Sequence, residues 1–374
     1  MRLRTLEVRD FRNLAEVTLA PSPRLTVLLG QNGQGKTNLL EAVHLLTTLR
    51  PLRATRLAEL VRFGQGRAVV AAEVDAPGGS RVLGVEVVPG ARTASLDGKP
   101  VRELDSYLDG LAAVCFSPDD LLLVKGGPDG RRRFLDRAAF NRWPAVLGEA
   151  REYVRALRER NAALRRGGGP VEESFRDPLI RAGARLIRRR RDVAVELEPR
   201  LLEAFAQISG TDPSRGATAR AELAYRPSGG LPLEGDEASI ADALGALLAS
   251  RLARDLERGY STCGPHMDDV LFGIGGRAAR AYGSQGQQRA YVLALRIAEI
   301  ENLRAILSRP PLLLLDDVSS ELDPAKNGFL LAYVASLPAQ AFLTSTDRRL
   351  IEPAAGAETR FFEVAGGAIS PIAL

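Results

Sequence analysis

The stretch from Gly30 to Thr37 constrains this chain more than any other, because it has the spacing G-x-x-x-x-G-K-[ST] of a phosphate-binding P-loop. An apolar run at residues 25–29 precedes it and predicts a buried strand, and residues 38–46 predict a helix after it. A glycine loop between a strand and a helix N-terminus turns backbone N–H groups and the positive end of the helix dipole towards phosphate oxygens. The sequence therefore predicts a nucleotide-binding loop made of Gly30, Gln31, Asn32, Gly33, Gln34, Gly35, Lys36 and Thr37.

A second segment carries the carboxylates that P-loop chemistry needs. Residues 311–315 are apolar and predict a buried strand, which ends in Asp316 and Asp317, the Walker B pattern. We expect Lys36 to reach the β- and γ-phosphates, and Thr37 and Asp316 to hold Mg²⁺. Asp317 is then placed to act as the general base for the attacking water. The predicted cofactors are ATP and Mg²⁺, and the predicted catalytic residues are Lys36 and Asp317.

A small polar loop, Ser284-Gln285-Gly286-Gln287, precedes another predicted helix at residues 290–307. Such a loop at a helix N-terminus is a second anion-binding site. It cannot serve the phosphates that the P-loop already holds unless another copy of the chain supplies them. Ser284, Gly286 and Gln287 are therefore further candidates for nucleotide contact.

Two smaller features leave alternatives open. Arg12 lies in the turn between predicted strands at residues 3–8 and 15–19, where folding back onto the nucleotide and a surface position are equally compatible with the pattern. Asp268 and Asp269 form a carboxylate pair, but adjacent residues on a strand point to opposite faces. That geometry favours a structural role for the pair over a catalytic one.

Positive charge is concentrated in one region. The chain of 374 residues has a formal net charge of +5, whereas residues 126–200 contain 19 arginines and 11 acidic residues, a net charge of +8. A basic region of this kind is typical of a polyanion-binding face. A solvated helical surface in an arginine-rich chain is the alternative. Charge density alone suggests DNA contacts at Arg131, Arg132, Arg133, Arg185, Arg188 and Arg189.

The same sequence argues against several classes of protein. Cys115 and Cys263 are far apart and form no C-x-x-C pair, so a disulfide framework and a zinc site are not expected. His44 and His266 are too few and too separated for a metal cluster. No apolar run approaches the roughly 18 residues of a transmembrane helix. We therefore expect a cytoplasmic protein without a membrane span.

The predicted fold is α/β and has an insertion. Residues 1–125 are expected to hold the P-loop and an antiparallel β subdomain, with strands at 68–74, 81–88 and 94–96. Residues 126–258 predict a basic, mainly helical arm, with helices at about 151–166, 179–205 and 239–258. Residues 259–374 are expected to complete the domain that carries the P-loop.

The order of these motifs resembles the ABC-type ATPase heads of the SMC class and, within that class, the RecF family. The resemblance spans essentially the whole chain. It rests on F-S-P-D-D-L at 116–121, K-G-G-P at 125–128, R-R-R-F-L-D at 131–136, G-P-H-x-D-D at 264–269, G-S-Q-G-Q-Q-R at 283–289 and D-D-V-x-x-E-L-D at 316–323. It implies a P-loop ATPase head, with a mixed sheet, helices and an antiparallel β subdomain, that carries an inserted helical arm.

The resemblance also implies a mechanism. Two heads would close face to face on two ATP molecules. Lys36, Thr37 and Asp316 of one copy would hold ATP–Mg²⁺, and Ser284 and Gly286 of the other copy would contact its γ-phosphate. The chain would be a monomer without ATP and a homodimer with it, and hydrolysis would separate the heads.

Members of the RecF family bind double-stranded DNA near single-strand gaps. The edge of such a gap is a junction of single- and double-stranded DNA. With the partners RecO and RecR they help to load RecA, in gap repair, in the restart of stalled replication forks and in the SOS response. The resemblance implies these partners for the present chain, and a weak, DNA-linked ATPase that acts as a switch.

Three features depart from the wider ABC pattern. Asp317 stands where ABC ATPases commonly have glutamate, and its shorter reach to water predicts slow hydrolysis. Thr344-Ser345-Thr346 replaces the usual switch histidine. No glutamine of the Q-loop type follows the strand predicted at residues 112–116.

Two other classes of protein share parts of this pattern. A nucleotide-binding subunit of a membrane transporter would have a similar core, but the long basic insertion argues against it. A structural SMC tether would need sustained heptads and a dimerising hinge, and the sequence has neither.

Overall fold

The computed structural model describes residues 2–54, 56–76, 79–101, 107–108, 111–210, 220–307, 310–352 and 355–372. The chain divides into two compact units. The P-loop unit comprises Met1–Asp120 and Leu303–Leu374, and the helical unit comprises Leu121–Asn302. The two ends of the chain therefore fold together, and the middle forms a unit of its own.

Strands dominate the P-loop unit and helices dominate the helical unit. The strands are β1 (Arg2–Phe11), β2 (Leu14–Leu19), β3 (Leu25–Leu29), β4 (Ala68–Ala76), β5 (Gly79–Val88), β6 (Ala91–Leu96), β7 (Lys99–Pro100), β8 (Ala113–Phe116), β9 (Ala221–Arg226), β10 (Asp269–Ile274), β11 (Arg277–Ala278), β12 (Leu312–Leu315), β13 (Ala341–Ser345), β14 (Thr359–Ala365) and β15 (Ala368–Ile372). The helices are α1 (Lys36–Thr48), α2 (Leu121–Lys125), α3 (Pro128–Arg142), α4 (Val146–Leu164), α5 (Pro170–Ser209), α6 (Glu237–Ser250), α7 (Leu252–Arg258), α8 (Ala279–Tyr282), α9 (Gln285–Ile306), α10 (Val318–Glu321) and α11 (Pro324–Ser336).

One sheet of the P-loop unit has the strand order β15-β14-β3-β13-β12-β8. β3 pairs in parallel with β13 and β14, and β12 pairs in parallel with β13 and β8. Nearly every residue of β3, β12 and β13 is buried, as expected for parallel strands covered on both faces. Leu29, Phe116, Leu315 and Ser345 end these parallel strands, so the loops that follow them meet at one edge of the sheet.

The other sheet of the P-loop unit is antiparallel and has the order β2-β1-β4-β5-β6-β7. Burial alternates along β1, where Leu6 and Val8 face the core and Glu7 and Arg9 face solvent. Helix α1 contacts strands of both sheets, which explains why it is buried around most of its circumference. The antiparallel subdomain predicted from the sequence is therefore present, and its strands are β4, β5 and β6.

The helical unit is built on an antiparallel pair of long helices. Three ion pairs show the antiparallel direction, because later residues of α5 contact earlier residues of α4. The pairs are Arg160–Glu172, Glu152–Arg185 and Glu149–Arg189. The glycine-rich break Gly167-Gly168-Gly169 makes this reversal feasible, because all three glycines have positive φ angles. The helix predicted at 179–205 is longer than expected, since α5 runs from Pro170 to Ser209 through two internal prolines.

The structural boundary of the insertion differs from the boundary that composition suggested. β9, from within the predicted arm, pairs along its whole length with β10, which lies beyond the predicted end of the arm at residue 258. This pairing attaches residues 269–274 to the arm, and residues 259–302 as a whole belong to the helical unit. The Ser284 loop therefore belongs to the helical unit.

A buried ionic cluster anchors the α4–α5 pair. The guanidinium of Arg160 is fully buried and donates to Glu172 at 2.7 Å, to Asp255 at 2.8 Å and to Ser261 Oγ at 2.7 Å. Asp255 is also fully buried and accepts the backbone N–H and the hydroxyl of Thr262. This cluster joins α4, α5 and α7 to the segment that precedes β10.

We expect Arg160→Ala to destabilise the helical unit by about 3–5 kcal/mol, because two buried carboxylates lose their counter-charge. Arg155→Ala on the same helix removes an exposed pair with Glu159 and should cost less than about 0.5 kcal/mol. Urea unfolding followed by circular dichroism measures both variants. Equal stability of the two variants would contradict a supporting role for the cluster.

Candidate nucleotide-binding site

The P-loop connects β3 to α1 at the carboxyl edge of the parallel sheet. Gly33 and Gly35 have φ angles of +80° and +117°, a region that side chains with a Cβ rarely adopt. A Cβ at Gly30 would lie 2.3 Å from the carbonyl oxygen of Val364, so glycine is required there for packing. The Gln34 carbonyl accepts hydrogen bonds from Asn13 Nδ2 at 3.1 Å and from the Gly367 N–H at 2.9 Å. The loop is thus held in a defined shape.

Lys36 begins α1, and its ammonium group turns back over the loop. Its Nζ donates to the carbonyl oxygen of Gln31 at 2.9 Å and to that of Gly30. Burial lowers the pKa of Lys36, and the nearby carboxylates of Asp317 and Asp316 act in the opposite direction. The predicted phosphate-binding lysine therefore lies over the loop, where its charge also interacts with the carboxylates of Asp317 and Asp316.

A chain of hydroxyl contacts connects the P-loop helix to the ends of β12 and β13. Thr37 Oγ1 donates to Asp316 Oδ1 at 2.7 Å, and Thr344 Oγ1 donates to the same oxygen at 3.0 Å. The backbone N–H of Asp317 donates to Thr344 Oγ1 at 2.8 Å. Burial raises the pKa of Asp316, and the two hydroxyl hydrogen bonds partly offset that effect.

The donor set suits a magnesium ion. A threonine hydroxyl and a carboxylate are hard oxygen ligands, and Mg²⁺ in nucleotide sites takes one or two such protein ligands together with phosphate oxygens. The Thr37 hydroxyl lies within hydrogen-bond distance of the Asp316 carboxylate, so the two could share one ion. Thr37 and Asp316 would hold Mg²⁺, which would supply positive charge beside the phosphates.

Five of the predicted nucleotide-binding residues line a common cavity of about 290 Å³, namely Asn32, Gly33, Gly35, Lys36 and Thr37. Asp317 lies on its wall, and its backbone adopts a left-handed conformation with φ of 47°. Aspartate tolerates this conformation better than residues with longer side chains do, which gives a physical reason for aspartate at this position. The full lining is Asn32, Gly33, Gly35, Lys36, Thr37, Asn38, Arg53, Ser117, Pro118, Asp119, Asp316 and Asp317.

Sequence reasoning missed several residues of this site. Arg53 and Asp119 line the cavity, and the charge of Arg53 acts to lower the pKa of Asp316, against the larger effect of burial. Asp119 follows β8, where the sequence offered no Q-loop glutamine. Asp119 could have been found because it follows a predicted strand. The carboxyl ends of parallel strands lie at one edge of a sheet, so a residue that follows one of them is a candidate for the nucleotide site. Nothing local in the sequence points to Arg53.

Arg12 lies beside the P-loop helix. Its guanidinium donates to Glu41 Oε2, with Nε and Nη2 each at 3.0 Å, and Glu41 is a fully buried residue of α1. The other oxygen of Glu41 accepts the backbone N–H of Arg53 at 3.1 Å. Arg12 is therefore not a free surface arginine, since its guanidinium is bound to the P-loop helix. A contact from Arg12 to nucleotide stays a prediction.

The loop around Ser284 forms a reciprocal cap at the start of α9. Ser284 Oγ accepts the Gln287 N–H at 3.2 Å, and Gln287 Oε1 accepts the Ser284 N–H at 2.8 Å. This cap uses an oxygen lone pair of Ser284 and leaves its O–H free to donate to an anion. Ser284, Gly286 and Gln287 are exposed. They lie in the helical unit, whereas Lys36, Thr37, Asp316 and Asp317 lie in the P-loop unit.

Comparisons with known proteins agree with this geometry. Residues 2–367 match the family model described as the RecF/RecN/SMC N terminal domain. The chain is 68% identical to the DNA replication and repair protein RecF of Anaeromyxobacter dehalogenans strain 2CP-1, over 100% of both chains. It is 51% identical to the RecF protein of Myxococcus xanthus, over 99% of this chain and 97% of that protein. The chain belongs to the RecF family. The family and the fold class predicted from the sequence are confirmed.

Solved structures of the RecF family have the same fold as this chain. A structure described as the recombination mediator protein RecF with ATP, in the RecFOR pathway, is 28% identical, with a TM-score of 0.86 over 99% of each chain. A solved structure of an SMC head bound to a winged-helix domain of ScpA shares the fold alone. It is 16% identical, with a TM-score of 0.55 over 100% of this chain and 98% of that one. None of the described helices combines the length and apolarity needed to cross a membrane.

The structure changes the interpretation of the predicted DNA-contacting arginines. Arg131 is buried and forms a two-pronged ion pair with Asp269, at 2.8 and 3.0 Å, so it does not present the exposed guanidinium that the prediction assumed. Arg132 is also engaged, with Asp129 and the carbonyl oxygen of Asp268. Arg133 is exposed, and its role as a DNA contact stays a prediction.

The arginines of α5 are paired as well. Arg185 pairs with Glu152 at 2.8 Å, Arg188 with Glu237 at 3.4 Å and Arg189 with Glu149 at 3.0 Å. The guanidinium groups of Arg189 and Arg142 also lie over the ring of Trp143, at 4.8 and 5.0 Å from its centroid. The Arg189 pair is the most buried of these three, and DNA contacts from Arg185, Arg188 and Arg189 stay predictions.

The Asp268–Asp269 pair has the structural role that the sequence favoured. Asp268 is buried and accepts the Tyr225 hydroxyl and the Ser228 N–H, the latter at 2.6 Å. Asp269 binds Arg131, as described above. Both carboxylates thus have partners within the helical unit.

Replacing Asp316 tests the charge arrangement of the site. Because burial raises the pKa of Asp316, its negative charge makes an unfavourable contribution to folding at neutral pH, which fades as the pH falls through the raised pKa. Asp316→Asn keeps an oxygen acceptor for both hydroxyls. We expect a melting temperature equal to or above the native value at neutral pH, a difference that shrinks in acid, and loss of Mg²⁺-dependent ATP hydrolysis.

Asp323 provides the control, because its pKa is shifted in the opposite direction from that of Asp316. It is exposed, and hydrogen bonds from the side chain and the backbone N–H of Lys326 lower its pKa. Its charge therefore stabilises the folded state at neutral pH, and this contribution is lost as the pH falls. Asp323→Asn should lower the melting temperature slightly. A marked fall in melting temperature for Asp316→Asn would contradict the stated electrostatics.

Proposed function

We propose that this protein is an ATP-dependent DNA-binding protein of recombinational repair. The observation that carries the proposal is the contact between the P-loop hydroxyl of Thr37 and the Walker B carboxylate of Asp316 at 2.7 Å. That contact places a phosphate loop and a metal-binding carboxylate in one cavity, as ATP–Mg²⁺ requires. Membership of the RecF family supports DNA as the partner and disfavours the alternative of a membrane-transporter subunit.

The second anion site supports an ATP-driven homodimer. We propose that the Ser284 O–H, which the helix cap leaves free, donates to the γ-phosphate held by Lys36 and Thr37 of another copy. Gly286 and Gln287 lie beside it, exposed, at the N-terminus of α9, where backbone N–H groups favour an anion. Without ATP the two copies lack this bridge, which supports a monomer in that state.

In the proposed mechanism the residues of this chain position water and neutralise charge. Lys36 balances the charge of the phosphates, and Asp317 takes a proton from the attacking water. The short side chain of Asp317 reaches less far than glutamate would, which supports slow hydrolysis and a role as a switch. Separation of the two copies after hydrolysis would then release DNA.

The proposed biological context follows from the family. We propose that the closed dimer binds double-stranded DNA beside single-strand gaps and acts with RecR and RecO to promote loading of RecA. This places the protein in gap repair, replication restart and the SOS response. The RecFOR pathway named for the similar RecF–ATP structure supports these partners.

Light-scattering mass with and without ATP–Mg²⁺ tests the dimer. We expect the mass of the native chain to double with ATP, and Lys36→Met to abolish the doubling. Ser284→Asp keeps a good helix cap but places a negative charge against the γ-phosphate, so it should also prevent doubling without loss of thermal stability.

Ser284→Asn is the matched control for that variant, because asparagine caps the helix, carries no charge and retains a donor. It should dimerise better than Ser284→Asp. A native chain that binds ATP and stays monomeric would refute the two-ATP dimer.

Salt dependence tests the proposed DNA partner. If phosphate neutralisation drives binding, the affinity for duplex DNA should fall steeply as salt rises, with a logarithmic slope of about −0.9 for each phosphate contacted. Filter binding at several salt concentrations, with and without ATP, measures that slope. Absent binding, or binding that salt does not change, would overturn the proposal.

A further inference from the structure

A single turn of the P-loop unit holds a phenylalanine out in solvent. Phe63 is fully exposed, and it is the most exposed large hydrophobic side chain among the described residues. A phenyl ring is among the largest apolar surfaces a residue can offer to a partner. One exposed apolar residue is common on protein surfaces, so the surroundings of Phe63 decide what it signifies.

The turn that presents Phe63 is firmly held. The Arg62 N–H donates to the Asp10 carbonyl at 2.8 Å, and the Gln65 N–H donates to the Arg62 carbonyl at 2.9 Å. Gly64 follows Phe63 with a φ of +83°, which allows the chain to reverse. The backbone that carries the phenyl ring is therefore ordered before any partner binds, which lowers the entropic cost of binding.

The chain segment that carries this ring is basic. Residues 50–67 contain five arginines and one glutamate, a net charge of +4 within 18 residues. Arg62 contacts Asp10 only at 3.6 Å, with both side chains more than a third exposed, so the pair is weak and the guanidinium remains available. Arg56 is also exposed. In the helical unit, buried or bidentate pairs occupy Arg131 and Arg189, whereas the part-exposed pairs of Arg185 and Arg188 resemble that of Arg62.

The same turn is connected to the nucleotide site. The Arg12 N–H donates to the Leu60 carbonyl at 2.8 Å at the base of the turn, and Phe11 pairs with Val61 as a β-bridge. The side chain of Arg12 binds Glu41 on the P-loop helix, and its neighbour Asn13 holds the Gln34 carbonyl. Arg12 and Asn13 therefore connect the turn to the P-loop and its helix.

We propose that the turn at residues 61–67 contacts DNA where a base is unstacked, with Phe63 stacked on that base and Arg62 on a neighbouring phosphate. The inference rests on the proposed DNA binding and assigns it a site. Aromatic stacking combined with arginine contacts is the chemistry of single-strand binding. An aromatic side chain gains from stacking only where the face of a base is accessible, as it is at a gap and is not within an intact duplex.

The test compares Phe63→Ala with the native chain by fluorescence anisotropy in ATP, on a gapped duplex and on an intact duplex of equal length. We expect roughly 10-fold weaker binding to the gapped duplex, unchanged binding to the intact duplex, and an unchanged salt slope because no charge is lost. Arg62→Gln should weaken binding to both DNAs and reduce the salt slope by about one.

Two further substitutions identify the interaction as stacking. Phe63→Trp should retain affinity for the gapped duplex, and Phe63→Leu, which is apolar but cannot stack, should not. Val195→Ala, at a highly exposed position on α5, is the control for loss of an exposed apolar side chain and should have no effect.

Three results would overturn the inference. The first is equal affinity of Phe63→Ala and the native chain for gapped DNA, and the second is full affinity of Phe63→Leu for it. The third is a Phe63→Ala variant that binds DNA normally but no longer doubles its mass with ATP, which would make the turn a contact with a second copy of the chain. A native chain that binds neither DNA would instead overturn the proposed function itself.

Discussion

Two hydroxyl groups converge on one buried carboxylate oxygen, and the nucleotide site depends on that arrangement. Thr37 lies in the first turn of the P-loop helix, Thr344 lies in β13 and Asp316 follows β12, so one oxygen connects three elements that are distant in the chain. The parallel sheet makes the meeting possible, because it brings the carboxyl ends of its strands to one edge. Burial of the carboxylate disfavours folding at neutral pH, and a metal ion bound there would reverse that penalty.

The sequence was sufficient for the features that depend on short spacings. The P-loop and the strand that ends in Asp316 follow from local patterns, because a glycine loop and an apolar run determine their own geometry. The position of Arg53 was not predictable, since it depends on a hydrogen bond from its backbone N–H to the side-chain carboxylate of Glu41. The pairing of Arg131 with Asp269, 138 residues away, was equally hidden from charge counting. Side-chain partners across such distances exist only once the fold exists.

The boundary of the helical unit shows a related limit. Composition changes near residue 126, and the arginine-rich helices end near residue 258. Backbone pairing between β9 and β10 nevertheless keeps the next forty or so residues in the same unit. One physical consequence is that the Ser284 loop and the P-loop belong to different compact bodies. A site completed by another copy of the chain would then use one body of each copy.

The ring of Trp143, with the guanidinium groups of Arg142 and Arg189 over it, has an optical consequence. The chain has one tryptophan, and it lies in the helical unit, so intrinsic indole emission reports on that unit alone. Unfolding would remove both cations from the ring and surround the indole with water, which shifts the emission to longer wavelength. Far-ultraviolet dichroism reports on both units. The two signals would therefore separate in a denaturant titration if the units unfold independently, and coincide if they unfold together.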